Sequence, residues 1–469
     1  MIKKIQQDFS YYSHEFKDNY RKGVHRLRTI LASRAQAQAF VSNAGGTAVV
    51  LGYEPETPDK NAQELYALLA ASPYIDDAVQ TFLGSIYEAG AESQDAMYSD
   101  SARCLEILHD PVMSRAAGAG TVSAGKWIAT LAGQSCNLYR DMNAVAASDI
   151  AMTAVAASKT AMTAVAANET AMAAVAASRV AMSAIIGNST ALNAVVTSSV
   201  AMAAIIGNST ALNAVVSSST AMAAVINNST ALNAVVSSST AMTAIASSST
   251  AMAAVASSQT AMAAIASSST ARTAIEKSQT AKNAIAASDM ATAKYAVGAA
   301  GLNPADYANM AAVASSQTAM AAVASSQTAM TAVANNKTAL TAVINNASAL
   351  NTVVSSSTAM VAIIANSTAR TAITNSATAK NALASSPLKT TVTKGNGNGW
   401  ENRTIRNGMG YLISCYNANS GGEAGSTWYK LDGAQTSQPA GTTNVGKFFT
   451  SSLAIYWWSS TSSVTYIPC

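Results

Sequence analysis

The chain is poor in charge and in aromatic rings. Charged side chains make up 11% of its 469 residues and aromatic side chains 6%, whereas an ordinary globular protein is about 25% charged. No segment offers about 18 consecutive large apolar residues, so the sequence predicts no membrane span. The opening segment, MIKKIQQDFSYYSHEF, lacks the apolar stretch of a secretory signal. We therefore expect synthesis in a cytoplasm without export by a classical signal.

Residues that carry chemistry are also few. The four cysteines contain no C-x-x-C pair, which disfavours a zinc or redox site, and we expect free thiols, although Cys415 and Cys469 could pair in an oxidising compartment. The cysteines are Cys104, Cys136, Cys415 and Cys469. The histidines, all in the first 140 residues and without metal-ligand spacing, are His14, His25 and His109. We predict no metal and no cofactor.

Catalysis and nucleic-acid binding are equally unsupported. The net charge is +4 without a basic run, so the electrostatic signature of a nucleic-acid-binding protein is missing. Glycoside cleavage needs a pair of carboxylates. The last 83 residues offer only Glu401, Glu423 and Asp432. We predict that the protein is not an enzyme.

The chain contains instead a ten-residue repeat, Ala-Met-x-Ala-Val-x-x-Ser-x-Thr. Fifteen units fill residues 141–287 and eight more fill residues 310–386. Each array ends with arginine and then lysine in the methionine position, in the blocks TARTAIEKSQTAKNAIAAS (270–288) and TARTAITNSATAKNALASS (368–386). This likeness indicates that a module of many units was copied whole. Residues 288–309 break the period and predict a joint, a hinge or a small inserted element.

A continuous helix cannot keep the methionine and valine positions on one face. Ten residues stop about 80° short of three helical turns, so the apolar stripe would circle the helix in roughly 68 Å. The pitch of a coiled coil is about 140–210 Å. We therefore predict short helical segments separated by a regular non-helical step at the Ser-Ser, Gly-Asn and Asn-Asn pairs. The alternative is a β-solenoid or intertwined β-fibre, which β-branched doublets such as Ile185-Ile186 favour.

One unit cannot bury its apolar stripe alone. Burial requires either stacking within the chain or association of parallel copies. The small alanines allow close approach, and threefold symmetry closes without edges, so we expect a fibrous, elongated homotrimer with a decapeptide-repeat shaft. The residues expected in the trimer core of the shaft are Met152, Val155, Met162, Val165, Met172, Val175, Met252, Val255, Met320 and Val323.

The two ends differ from the repeat and from each other. Residues 1–140 show apolar residues at helical spacing, for example Ile5, Phe9, Tyr12 and Phe16, and predict an α-rich head whose function is attachment. The alternative for this head is a folding cap of the shaft. Residues 387–469 alternate turn clusters such as GNGNGW with short runs such as LAIYWW, which is typical of a small all-β domain, the tip.

The tip concentrates the aromatic residues. Rings that stack on sugar faces beside amides are the usual chemistry of glycan contact, while the alternative for each ring is the domain core. Trp457 and Trp458 are adjacent on a strand, so their side chains point to opposite faces. The candidate receptor-binding residues are Trp400, Trp428, Tyr429, Tyr456, Trp457 and Trp458.

This layout resembles bacteriophage tail fibres and related receptor-binding appendages. The likeness lies in the plan of the whole chain and in shaft units such as STAMAAVASSQTAMAAIASS (249–268). The resemblance implies a trimer in the virion, made in the host cytoplasm. Its head would attach to tail or baseplate proteins, and its tip would meet a bacterial surface glycan or protein. From charge and hydropathy we expect neither nucleic acid binding nor membrane insertion. The decads depart from the heptads of many such shafts.

Three other classes of protein remain as alternatives. A bacterial surface adhesin or stalk would need an export signal, which the first residues do not show. A tailspike that depolymerises glycans would need clustered acids, which the repeat lacks. An ice-binding protein would use the regular threonine and alanine, but a bulky methionine in every unit disfavours it.

Overall fold

A computed structural model describes residues 2–17, 20–53, 60–87, 93–419 and 426–469. The chain divides into two compact units, residues 1–235 and 236–469. The first unit holds the head and the earlier decads. The second unit holds the later decads and the C-terminal β domain. Helices dominate both units, and the strands lie in the last 80 residues of the chain.

The head helices are α1 (Ile2–Lys17), α2 (Tyr20–Ala32), α3 (Arg34–Val41), α4 (Ala44–Leu51), α5 (Lys60–Ala70), α6 (Ile75–Ile86), α7 (Gln94–Ser99), α8 (Ser101–His109), α9 (Pro111–Ala117), α10 (Thr121–Leu131) and the 3₁₀ helix η1 (Cys136–Leu138). The predicted α-rich head is confirmed. Its core is built by large buried side chains such as Phe16, Phe40, Tyr98 and Trp127. The side chain of Ile5, an expected member of the first apolar face, lies outside the described part.

The decads form one short helix each. The helices of the first array are α11 (Met142–Ala147), α12 (Asp149–Ala157), α13 (Lys159–Ala167), α14 (Glu169–Ala177), α15 (Arg179–Ile186), α16 (Ser189–Thr197), α17 (Ser199–Gly207), α18 (Ser209–Val216), α19 (Ser219–Asn227), α20 (Ser229–Ser237), α21 (Ser239–Ser247), α22 (Ser249–Ser257), α23 (Gln259–Ser267), α24 (Ser269–Lys277) and α25 (Gln279–Ala286).

The second array is preceded by α26 (Asp289–Ala299) and η2 (Pro304–Asp306). Its helices are α27 (Met310–Ser315), α28 (Gln317–Ser325), α29 (Gln327–Ala334), α30 (Lys337–Ile344), α31 (Ala347–Val354), α32 (Ser357–Ala365), α33 (Ser367–Thr374) and α34 (Ala377–Ala384). The predicted helical segments with a regular non-helical step are confirmed, and residues 141–386, all of them described, contain no strand.

A single residue makes the step in most decads. Ser316 ends α27 and caps α28 with extended backbone angles, φ −99° and ψ 111°. Its side-chain oxygen accepts a hydrogen bond from the backbone N–H of Ala319 at 3.2 Å, as expected for an N-cap serine. In five neighbouring helix pairs the chain bends by 91° to 100° at this step. Each bend begins a new helix. The angular mismatch between a ten-residue repeat and 3.6 residues per helical turn therefore does not accumulate along the chain.

Helices three units apart pack against each other. In the first unit α12 packs on α15 and α13 on α16, while in the second unit α21 packs on α24 and α28 on α31. Within each unit the helices therefore wind into a solenoid whose turns stack. The ten residues that we expected in a trimer core are all between 0% and 1% exposed within the single chain. Stacking within the chain therefore buries the stripe without a second copy, and the trimer stays a prediction.

The C-terminal domain contains two four-stranded antiparallel sheets. Its strands are β1 (Thr390–Thr393), β2 (Glu401–Asn407), β3 (Gly410–Asn417), β4 (Trp428–Leu431), β5 (Ala434–Ser437), β6 (Gly441–Phe449), β7 (Ser452–Trp457) and β8 (Ser463–Pro468). The strand orders are β1-β8-β3-β6 and β2-β7-β4-β5. The predicted all-β domain is confirmed, and its core is formed by buried residues of both sheets, among them Leu412, Phe449, Leu453, Ile455 and Trp457.

Candidate binding face of the C-terminal domain

The second sheet has one buried face and one outward face. Along β7, Leu453, Ile455 and Trp457 are fully buried, whereas Ala454 and Tyr456 between them are partly exposed. Since neighbouring side chains of a strand point to opposite faces, the register places Asn402 of β2 and Trp428 of β4 on the outward face, both opposite Tyr456. The outward face therefore carries rings from neighbouring strands.

Three of these rings stack in a row. The ring centroids of Trp400 and Tyr456 are 4.8 Å apart and their planes differ by 9°. On the other side, the centroids of Tyr456 and Trp428 are 5.3 Å apart with planes at 17°. Trp400 is 40% exposed. The ring of Tyr456 is thus covered on both faces, while Trp400 at one end of the row keeps one face that the row does not cover.

Short connections and strand pairing hold the row in place. Trp400 follows Gly399, whose φ of 152° suits glycine and whose N–H donates to the carbonyl oxygen of Trp458 at 2.9 Å. Tyr456 and Trp428 are fixed by the antiparallel pairing of β7 with β4. These anchors fix the orientation of the rings, and groups that are already ordered lose less entropy in a binding event than mobile groups.

Polar groups surround the aromatic row. The Lys430 ammonium lies 4.6 Å from the centroid of the Trp428 ring, a cation–π distance. Gln435 and Ser437 of β5 pair with Lys430 and Trp428, which places them on the same outward face. Thr404 and Asn402 lie at the β2 side. Neutral hydrogen-bonding groups therefore flank the rings on both sides.

The structure divides the candidate receptor-binding residues into two groups. It brings Trp400, Trp428 and Tyr456 together on the outward face, and Trp458 is partly exposed just after β7. It buries Tyr429 at 4% exposure and Trp457 at 0% in the core. The alternative of a core role therefore holds for these last two residues.

The sequence reasoning missed the polar residues of this face. Lys430 lies two residues after Trp428 in the same strand, and strand alternation from Trp428 could have identified it. Gln435 and Ser437 lacked a comparable signal, because their face depends on the pairing of β4 with β5.

The two described acids of the domain, Asp432 and Glu401, accept hydrogen bonds within it. Asp432 accepts hydrogen bonds from the backbone N–H groups of Thr450, Ser451 and Ser452 at 2.6–3.0 Å. Burial alone would raise the pKa of Asp432, but these bonds outweigh it and lower the pKa to about 2. Glu401 accepts a bond from the Trp457 indole N–H at 3.1 Å. Glu423 lies outside the described residues.

Metal, thiol and membrane sites find no support in the described parts of the chain. No group of three or more His, Cys, Asp or Glu side chains there could hold a metal ion, and all four cysteines are free thiols. Among the same residues no single helix is long and apolar enough to cross a membrane, while five pairs of decad helices reach that length and composition only across a sharp bend.

Known proteins give no direct indication of function. No family model matches the chain, and no curated protein matches it significantly. What the protein does must therefore be inferred from the outward face and the solenoid.

Proposed function

We propose that the protein is an adhesion appendage whose C-terminal domain binds a cell-surface glycan through the outward face of its second sheet. The observation that carries this proposal is the stacked row of Trp400, Tyr456 and Trp428. An apolar C–H face of a sugar ring packs on the open face of an exposed indole, and amides and hydroxyls beside it bond the sugar hydroxyls.

The neutral character of the face favours a glycan over a protein segment. The row is flanked by Asn402, Thr404, Gln435 and Ser437, and Lys430 adds one charge. Protein–protein hot spots are instead centred on apolar or arginine anchors in desolvated pockets. With Asp432 and Glu401 engaged in hydrogen bonds, the domain fits binding better than hydrolysis, so we propose a non-enzymatic adhesin.

The solenoid and the head complete the proposal. The decads serve as a spacer, and the α-rich head attaches the protein to its carrier. In the proposed setting the carrier is a virus particle, with the head on a tail or baseplate protein, as in tail fibres. If copies associate as a homotrimer, they do so through surfaces other than the methionine positions, because the chain itself covers these.

The test uses the full chain, fluorescently labelled, on an array of bacterial surface polysaccharides. Trp400→Ala and Trp428→Ala should each weaken binding to the recognised glycan about tenfold or more, a loss of roughly 1.4 kcal/mol. Trp400→Phe keeps a ring and should restore part of the affinity. Tyr416→Ala removes a tyrosine that is 42% exposed on the other sheet and should leave binding unchanged.

Two results would overturn the proposal. The first is a folded chain that binds no glycan on the array. The second is a loss of binding in the Tyr416→Ala control equal to that in the tryptophan variants. Circular dichroism of the aromatic region checks that each variant keeps its fold.

A further inference from the structure

The interruption at residues 288–309 repeats the local structure with which the first array of decads begins. Residues 121–148 and 289–316 align without a gap, and Lys126, Gly133 and Met142 recur as Lys294, Gly301 and Met310. The elements recur in the same register, at the bounds given above. An eleven-residue helix (α10, α26) is followed by a 3₁₀ turn (η1, η2) and a six-residue first decad helix (α11, α27).

The backbone of the two copies agrees in detail. Gly133 and Gly301 end their helices with φ of 73° and 81°, in the left-handed region that favours glycine. Asp141 and Asn309 cap the first decad helices with φ of −157° and −159°, and each side chain accepts a 2.9 Å hydrogen bond from the N–H three residues later. We call residues 121–288 the first cassette and residues 289–386 the second cassette.

The two cassettes also end alike. Arg272 and Arg370 stand in the methionine position and each donates a guanidinium hydrogen bond to a carbonyl at the end of the preceding helix, that of Ala266 and that of Ile364. In the following decad, Lys282 and Lys380 occupy the same position and are exposed. The apolar stripe therefore stops at the same two units in both cassettes, although the first cassette has seven more decads than the second.

Different partners cover these two ends. Against the first end, α26 packs on α23 in the place of a decad helix. An added Cβ at Gly298 would lie 2.3 Å from the carbonyl oxygen of Ala266. Tyr295 of α26, 4% exposed, lines a cavity of 230 Å³ together with Ile275 and Ile285 of the last two decads.

The C-terminal domain covers the second end. Tyr411 and Ile467 of the β domain, 1% and 0% exposed, belong to one buried cluster with Ile373 and Leu383 of the last two decad helices. Ile373 and Leu383 correspond to Ile275 and Ile285 in the aligned end blocks. At each end the same pair of aliphatic positions is therefore buried, and the element that follows, α26 or the β domain, contributes a tyrosine to the surrounding apolar region.

We propose that the end of a cassette is a common docking surface, which accepts either the first helix of another cassette or the C-terminal β domain. The surface consists of the aliphatic pair, Ile275 and Ile285 or Ile373 and Leu383, with the arginine that closes the preceding helix. Its two occupants are alternatives, so a cassette can be removed or added without leaving the last remaining end uncovered. This inference is independent of the proposed glycan binding.

The experiment removes or adds one cassette in the full chain. Deleting residues 289–386 joins Ser288 to Pro387 and places the β domain on the end of the first cassette. A second form of this deletion carries Glu276→Thr, because Thr374 stands at that position in the second cassette. An insertion variant repeats residues 289–386 after Ser386. The matched control deletes residues 284–386, which removes half a decad more, including Ile285 and the cap Ser288.

The readout is the rate of proteolytic cleavage within the β domain together with its aromatic circular dichroism. The proposal predicts that the in-phase deletion, with or without Glu276→Thr, and the insertion keep the protection of the full chain. In the half-decad control, cleavage should be at least about tenfold faster, because the docking surface is incomplete. The proposal is overturned if the control is protected as well as the in-phase variants, if both in-phase deletions lose protection, or if the insertion loses it.

Discussion

The hydroxyl of Ser386 donates a 2.6 Å hydrogen bond to the carbonyl oxygen of Val354, 32 residues earlier in the chain. The same relationship joins Ser356 to Ala324 at 2.6 Å. The acceptor lies at the end of a decad helix, where carbonyl groups lack partners within the helix. Each of these two serines therefore ties its own turn of the solenoid to the turn before it.

Replacing such a serine should cost more than one capping interaction. Ser356→Ala removes the acceptor for the Ala359 N–H at 3.2 Å as well as the donor to Ala324. We expect a loss of about 1–3 kcal/mol in the free energy of unfolding. Ser355→Ala, at the exposed neighbouring residue, should change it by less than about 0.5 kcal/mol. Urea unfolding measures both, and equal effects would refute the bridging role.

The methionine positions should behave as a core within one chain. Met320 is 0% exposed, so Met320→Ala should lower the free energy of unfolding by about 2–5 kcal/mol. Gln317→Ala changes an exposed residue of the same helix and should be nearly neutral. A comparable, small effect of both substitutions in thermal or urea unfolding would show that Met320 is not packed as described.

The unfolding midpoint should not depend on protein concentration. Folding that requires a trimer becomes more stable with concentration by mass action, whereas a stripe buried within one chain needs no partner. We expect the same midpoint over a hundredfold range of concentration, checked by circular dichroism and by sedimentation. A midpoint that rises steadily with concentration would show that the methionine stripe is buried in a trimer interface.

Replacing Gly298, in helix α26 of the interruption at residues 288–309, by alanine should destabilise the fold. Gly298→Ala would bring a methyl group to 2.3 Å from the Ala266 carbonyl oxygen, so we expect destabilisation despite the better helix propensity of alanine. Gly207 ends the decad helix α17 with no atom within 4 Å of its added Cβ, and Gly207→Ala should be neutral or stabilising by up to about 1 kcal/mol. The melting temperatures of the two variants are compared. A higher melting temperature for Gly298→Ala than for the unchanged chain would show that α26 does not pack on α23 as described.

Acid should destabilise the β domain because the carboxylate of Asp432 becomes protonated. Its pKa is lowered from 3.8 to about 2 in the folded chain, so the ionised carboxylate stabilises the fold above the unfolded pKa. This stabilisation is lost as the pH falls from the unfolded value through the folded one. Asp432→Asn should reduce the melting temperature of the β domain near neutral pH and flatten its decline below about pH 4. An unchanged acid profile in this variant would assign the decline to other groups.

The sequence was sufficient to predict helical decads with regular breaks, but not the place of burial. The break was assigned to a polar tract, whereas one residue such as Ser316 makes it and turns the chain sharply. That turn determines whether the apolar faces of successive decad helices point toward a second chain or toward the interior of the same chain. Its angle depends on contacts between helices three units apart, which no single decad encodes.

The candidate binding face was predicted only in part for a related reason. Trp428 and Tyr429 are adjacent in β4, and strand alternation puts them on opposite faces without saying which face is buried. The packing of the two sheets settles this, with Tyr429 inside. The copy of the starting motif at 289–316 went unrecognised because its likeness to residues 121–148 lies mainly in backbone conformation rather than in residue identity.

In all but the first decad of each array an alanine precedes the methionine position, and these alanines, such as Ala319 or Ala329, are completely enclosed. Any larger side chain there would push apart the tiers it separates, since protein interiors have no spare volume. The monotony of this sequence is thus a requirement of close packing. A polar or bulky replacement of these alanines should be selected against, whereas the exposed positions of the decads should tolerate substitution.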